Sequence, residues 1–88
     1  MKLKENFVLR QIAGTWAVMA LGQATLDFNG MLTLNESGAL LWKTLEQGGD
    51  RDALVNALTG EYNVSREVAQ TDVDEFLNKL AATGCVEE

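Results

Sequence analysis

The chain has 88 residues, 47% of them hydrophobic, with a net charge of −6 from seven basic and thirteen acidic side chains, which predicts one small domain over residues 1–88. It has no histidine and one cysteine, which excludes His-based acid–base chemistry, Cys–His nucleophiles, the usual zinc clusters and any disulfide within the chain. The acidic balance disfavours DNA or RNA, because phosphate binding leaves a basic footprint.

Met1-Lys2-Leu3-Lys4-Glu5-Asn6 carries two lysines but no apolar stretch behind them, so it does not read as a signal peptide. No run is long enough to cross a bilayer, and the expectation is a soluble cytoplasmic protein with no membrane partner. Phe7 to Ile12 is rich in β-formers and ends at Ala13-Gly14. Thr15 to Leu21 follows after a break short enough for a hairpin. Asp27-Phe28-Asn29-Gly30 places an Asn-Gly turn signal before Met31. Three strands are therefore predicted, at 7–13, 15–21 and 30–34, as an antiparallel meander.

Met31-Leu32-Thr33-Leu34 alternates like a strand with two different faces and runs straight into a helix. Asn35 supplies an N-cap oxygen, and Glu36 sits where the helix dipole favours an anion. Ala39, Leu41, Trp42 and Leu45 continue at helical spacing until Gly48-Gly49 stops the helix near Gln47. A second helix is predicted from about Asp50 to Tyr62, with Leu54, Val55, Leu58 and Tyr62 on one side. Ser65 caps a third, whose apolar stripe reads Val68, Val73, Phe76, Leu77 and Leu80, and Gly84 ends it. Cys85-Val86 is expected to tuck back onto the core. Three strands followed by three helices make an α+β domain.

Motifs for chemistry are scarce. Asp72 and Glu75 share a helix face, but paired carboxylates in glycosidases work in a cleft of a larger domain, and an exposed face is the simpler reading. Asp50 and Asp52 suit a helix start better than a cation site, which needs more oxygens in a tight loop. Gly48-Gly49 follows a helix, and no Gly-Lys-Ser or Gly-Lys-Thr is present, so no phosphate cradle is read. Cys85 has Glu87 and Glu88 beside it, and nearby anions raise a thiol pKa, which argues against a reactive thiolate. Ser37 lies in Glu36-Ser37-Gly38 rather than the Asp-Ser-Leu of an acyl carrier protein, whose first half is helical besides. The chain is thus expected to be no enzyme and to need no metal or cofactor.

Binding remains. Met31 to Leu34 carries neither charge nor proline, the devices that blunt an edge strand, so a peptide can be added alongside it. The alternative is that this is simply a core strand.

From about Phe7 to Val86 the chain resembles the PqqD family of peptide chaperones, the stand-alone recognition elements of ribosomal-peptide maturation. The resemblance is carried by Leu34-Asn35, Gly38, Trp42, Leu45, Tyr62, Asp72-Val73-Asp74-Glu75-Phe76-Leu77, Leu80 and Gly84. Asp27-Phe28-Asn29-Gly30-Met31 is similar to one branch of that family. The resemblance implies a winged-helix-like fold. It also implies that the leader of a precursor peptide is added as a strand beside the third strand, against the third helix. The leader is then presented to a modifying enzyme, often a radical S-adenosylmethionine protein. On this chain the groove would use Met31, Leu32, Thr33 and Leu34 on one wall and Val73, Phe76, Leu77 and Leu80 on the other. A winged-helix transcription regulator is the alternative, against which the charge argues. A small interaction subunit without a peptide ligand, acting as a homodimer, is another.

Overall fold

The computed structural model describes residues 2–4, 7–21 and 31–87 of the chain. The order is β1 (Lys2–Leu3), β2 (Phe7–Ile12), β3 (Thr15–Ala20), β4 (Met31–Leu34), α1 (Glu36–Glu46), α2 (Arg51–Glu61), α3 (Arg66–Thr83) and β5 (Val86–Glu87). The α+β architecture is the one expected: a three-stranded antiparallel sheet ordered β2-β3-β4, followed by three helices. The Asp27–Gly30 turn reading lies outside the described residues.

The β2–β3 hairpin follows from its turn. Ala13 and Gly14 have φ of 51° and 81°, the two positive values that a two-residue loop needs to match the strand twist. That pins the register, with Ile12 opposite Thr15 and Phe7 opposite Ala20. Register then sets the faces. Phe7, Leu9, Trp16 and Val18 belong to the inward set, and β4 adds Leu32 and Leu34 opposite Val18 and Trp16. Lys43 Nζ lies 4.2 Å from the centre of the Trp16 ring, so the ammonium covers the aromatic face at the rim of the sheet.

Each helix begins on a side-chain cap. Asn35 Oδ1 accepts from the Gly38 N–H at 2.8 Å, Asp50 Oδ1 from the Ala53 N–H at 2.9 Å, and Ser65 Oγ from the Val68 N–H at 3.2 Å. The ends of α1 and α3 share one device. Gly48 and Gly84 take left-handed backbone, and the following N–H reaches back five residues: Gly49 to the Thr44 carbonyl, Cys85 to that of Leu80. That reversal returns Cys85 and Val86 to the core, where they are 0% and 7% exposed. β5 then pairs with β1, Leu3 opposite Val86, in a two-stranded sheet that the sequence reading did not anticipate.

The core joins the inner sheet face to all three helices. Val18, Trp42, Leu54, Val55, Val73, Leu80 and Cys85 are fully buried. Two helix assignments need correction. In α3 the buried stripe is Ala69, Val73, Phe76 and Leu80, whereas Val68 is 49% exposed. Val68 lies about 100° round the helix from Ala69, and a methyl suffices where α3 meets its neighbours. Tyr62 is outside α2, in extended backbone, and its ring is exposed rather than in line with Leu54, Val55 and Leu58. No polar side chain is buried among the described residues except the indole N–H of Trp42, which finds no hydrogen-bond partner among them.

Candidate functional site

The sheet order leaves β4 at an edge, with no described strand on its outer side. Lys79 fixes which backbone groups face outward. Its Nζ donates to the Thr33 carbonyl at 3.4 Å. A residue in an antiparallel strand points its N–H and C=O the same way, so both Thr33 groups lie on the free edge. By alternation the Met31 groups do too, while those of Leu32 and Leu34 turn toward β3.

A cleft of about 280 Å³ separates this edge from α3. Leu34, Gly38 and Leu41 line one side and Leu58 contributes from α2. Asp72, Glu75, Phe76 and Lys79 form the α3 wall. Their spacing of three, one and three residues keeps all four on one stripe. Space at Gly38 is tight where α1 leaves β4: a Cβ there would meet Asn35 Oδ1 at 3.1 Å and Leu34 Cβ at 3.3 Å. A second cavity of about 430 Å³ lies beside the first at the start of α1. Glu36, Leu58, Tyr62, Val64 and Asp72 line it, and the two cavities share Asn35, Ser37, Leu58 and Asp72. The two cavities thus adjoin, running from Leu34 and Lys79 to Tyr62, and Lys79 links the first of them to the Thr33 carbonyl.

The eight residues read from the sequence separate by depth. Leu34 and Phe76 are both 7% exposed and line the cleft. Val73 and Leu80 are 0% exposed and sit behind it, where they hold α3 in place. Leu32 is also directed inward, at 8%, and Leu77 is half-buried against the core. Thr33 is exposed and offers backbone. Met31 is in β4 opposite Met19, but its side chain lies outside what is described. Lys79, Asp72, Glu75, Tyr62 and the α1 start were not among those eight. For Asp72, Glu75 and Lys79 the signal was the 72, 75, 76, 79 spacing, which marks one α3 face but not what that face looks at; for Tyr62 and the α1 start no local spacing pointed to the groove.

Not every acidic residue of α3 serves the groove. Asp74 turns to α2, where Arg51 grips it through Nε at 2.8 Å and Nη2 at 3.0 Å. The guanidinium hydrogen bond holds the Asp74 carboxyl below its usual value and raises that of Arg51. Cys85 lies apart from the groove. Burial pushes its thiol up, against a contact from Thr83 Oγ1 at 3.3 Å and the positive charge of Lys4. The expected direction holds, with burial as its largest cause. The described residues contain no group of three His, Cys, Asp or Glu able to hold a metal, and no helix long and apolar enough to cross a membrane.

Comparison with known proteins bears on this groove. The family model described as coenzyme PQQ synthesis protein D (PqqD) matches residues 8–86. Among solved structures, TbiB1 in complex with the TbiA(beta) leader peptide is 28% identical, with a TM-score of 0.81 over 99% of this chain and 95% of that one. A lasso peptide synthetase B1 complexed with the leader peptide shares the fold at 22% identity, with a TM-score of 0.79 over 99% and 96%. Comparison with curated proteins gives no match.

Proposed function

The chain belongs to the PqqD family, and on that premise we propose that it binds the leader of a ribosomally made precursor peptide as an added strand on β4 and presents it to a modifying enzyme. The observation that carries this reading is the β4 edge, which no described strand pairs, with its outward Thr33 groups and an open cleft between Leu34 and α3. Backbone pairing at Met31 and Thr33 supplies affinity with little demand on sequence. Apolar peptide side chains enter the cleft over Leu34 and Phe76. Leu32, Val73, Leu77 and Leu80 support those contacts from behind. The 28%-identical protein solved in complex with a leader peptide supports a leader as the ligand.

On this reading the whole chain, residues 1–88, serves as one recognition domain in the cytoplasm and carries out no chemistry itself. The enzyme it serves is a maturase such as a radical S-adenosylmethionine protein. A second copy, pairing edge to edge, is the competing occupant of β4.

The test is an NMR titration of the labelled protein with its cognate leader. Amide shifts are expected at residues 31–38 and 72–79. Shifts centred on β2 or on the exposed side of α2 would refute the site, and binding of duplex DNA in place of peptide would refute the class.

A further inference from the structure

The groove is not uniformly charged along its length. Lys79 stands at the Thr33 end, with its ammonium on the edge carbonyl. At the other end, Asp72 and Glu36 place two carboxylates around a cavity that also holds the exposed Tyr62 ring and the apolar Leu58 and Val64. Asp74, the acidic neighbour, is already paired with Arg51 and adds nothing here. Asp72 has no such ion pair among the described residues, and it lines both cavities, so its charge lies along the path of the peptide.

The Tyr62 end has the parts that suit a long basic side chain. Leu58 and Val64 offer apolar surface for the methylenes, Tyr62 a ring face for the cation, and Glu36 and Asp72 the counter-charge. The Lys79 end suits the opposite. When a peptide N–H takes the Thr33 carbonyl, Lys79 loses that partner and its ammonium turns to an incoming carboxylate, in competition with Glu75 one helical turn before it on the same wall. Resting on the leader-binding reading above, we infer that the groove selects leaders by charge order: a basic residue over Glu36 and Asp72, an apolar residue over Leu34 and Phe76, and an acidic residue beside Lys79.

The spacing follows from geometry. Asp72 and Lys79 are about 10 Å apart along the α3 axis. Only alternate residues of an extended peptide face the groove, so the three positions are i, i+2 and i+4, spanning about 13 Å, a length that lysine and arginine stems accommodate. β4 runs toward Asn35, and antiparallel pairing is the stronger mode. The basic residue is therefore the N-terminal one of the three.

A random twelve-residue peptide library displayed on phage tests this without knowledge of the native leader. Selection on the wild-type protein is expected to enrich basic-x-apolar-x-acidic sequences that shift the amides of residues 31–38. Selection on the Asp72→Lys/Lys79→Glu variant, which changes two exposed side chains, is expected to enrich the reverse order. Peptides chosen by the wild type should bind that variant about tenfold more weakly. The single variant Lys79→Glu gives the same reading at one end if the double variant folds poorly. Groove-binding peptides without charge order, with acidic residues first, or with an order the variants leave unchanged overturn the inference while leaving the binding mode intact. Recovery of no groove-binding peptide overturns that mode and this inference with it.

Discussion

Helix α3 is used in two ways by its two sides. Toward the centre of the molecule it presents Ala69, Val73 and Leu80, all at 0% exposure, against a core with no buried charge among the described residues. Toward β4 it presents Asp72, Glu75, Phe76 and Lys79 across open space. The inner side is satisfied by the fold alone, whereas the outer side leaves three charged side chains at the mouth of the cleft, around a Phe76 ring that is itself largely buried. Stability and binding should thus be separable by substitutions only one helical turn apart.

The inner side gives the largest expected effect. Leu80→Ala removes a fully buried side chain and should destabilise the protein by about 2–5 kcal/mol, read as a lower urea midpoint. If the loss is under about 1 kcal/mol, the packing of α3 is looser than its burial implies, and the contrast between the two sides fails.

The outer edge should respond the other way. Thr33→Pro deletes an N–H that points away from β3, a position where an edge strand tolerates proline. Leader binding, measured by isothermal titration, is expected to weaken at least tenfold, on the order of one lost backbone hydrogen bond plus the steric block, with most of the stability retained. Undiminished binding would mean that the peptide does not pair with β4.

How much of this could be read from the sequence depended on range. The caps at Asn35 and Ser65, the Ala13-Gly14 hairpin and the Gly84 stop were legible because a few adjacent residues decide them. The β1–β5 pair was not, because two-residue strands 84 positions apart carry no local pattern. Val68 was mistaken for Ala69 because hydrophobicity was weighed without the size that the helix contact demands. Leu34 and Phe76 line the cleft, but apolarity alone could not separate them from Val73 and Leu80 behind them. Lys79, Glu36 and Tyr62 come from three different elements, and only the packing of those elements brings them to one groove.

Asn35 lies at the junction of the two sides, since it caps α1 and borders both cavities. Asn35→Ala should cost about 1 kcal/mol of stability, and Asn35→Gly only a few tenths, because glycine is tolerated at a cap. Chemical denaturation that fails to separate Ala from wild type would show that the 2.8 Å bond to the Gly38 N–H contributes nothing net.

The smallest effect belongs to Asp74, which faces neither the core nor the groove. Its carboxyl is held below the usual value by the Arg51 guanidinium, so the folded protein holds the ionised form more strongly than the unfolded chain does. Such a group contributes its stability above the unfolded carboxyl pKa and loses it as pH falls through the lower, folded value. Because the pair is exposed, at 46% and 54% of the two side chains, water screens most of the attraction. Asp74→Asn should therefore flatten the acid side of the stability profile slightly, below about pH 4, and Arg51→Gln should do the same by removing the partner. Neither should alter leader affinity, since both side chains point away from β4. Urea midpoints taken from pH 7 down to pH 3 would decide it: an unchanged acid limb in both variants means the pair adds no stability, and a weakened leader affinity in either means that the α2-facing side of α3 is part of the binding surface after all.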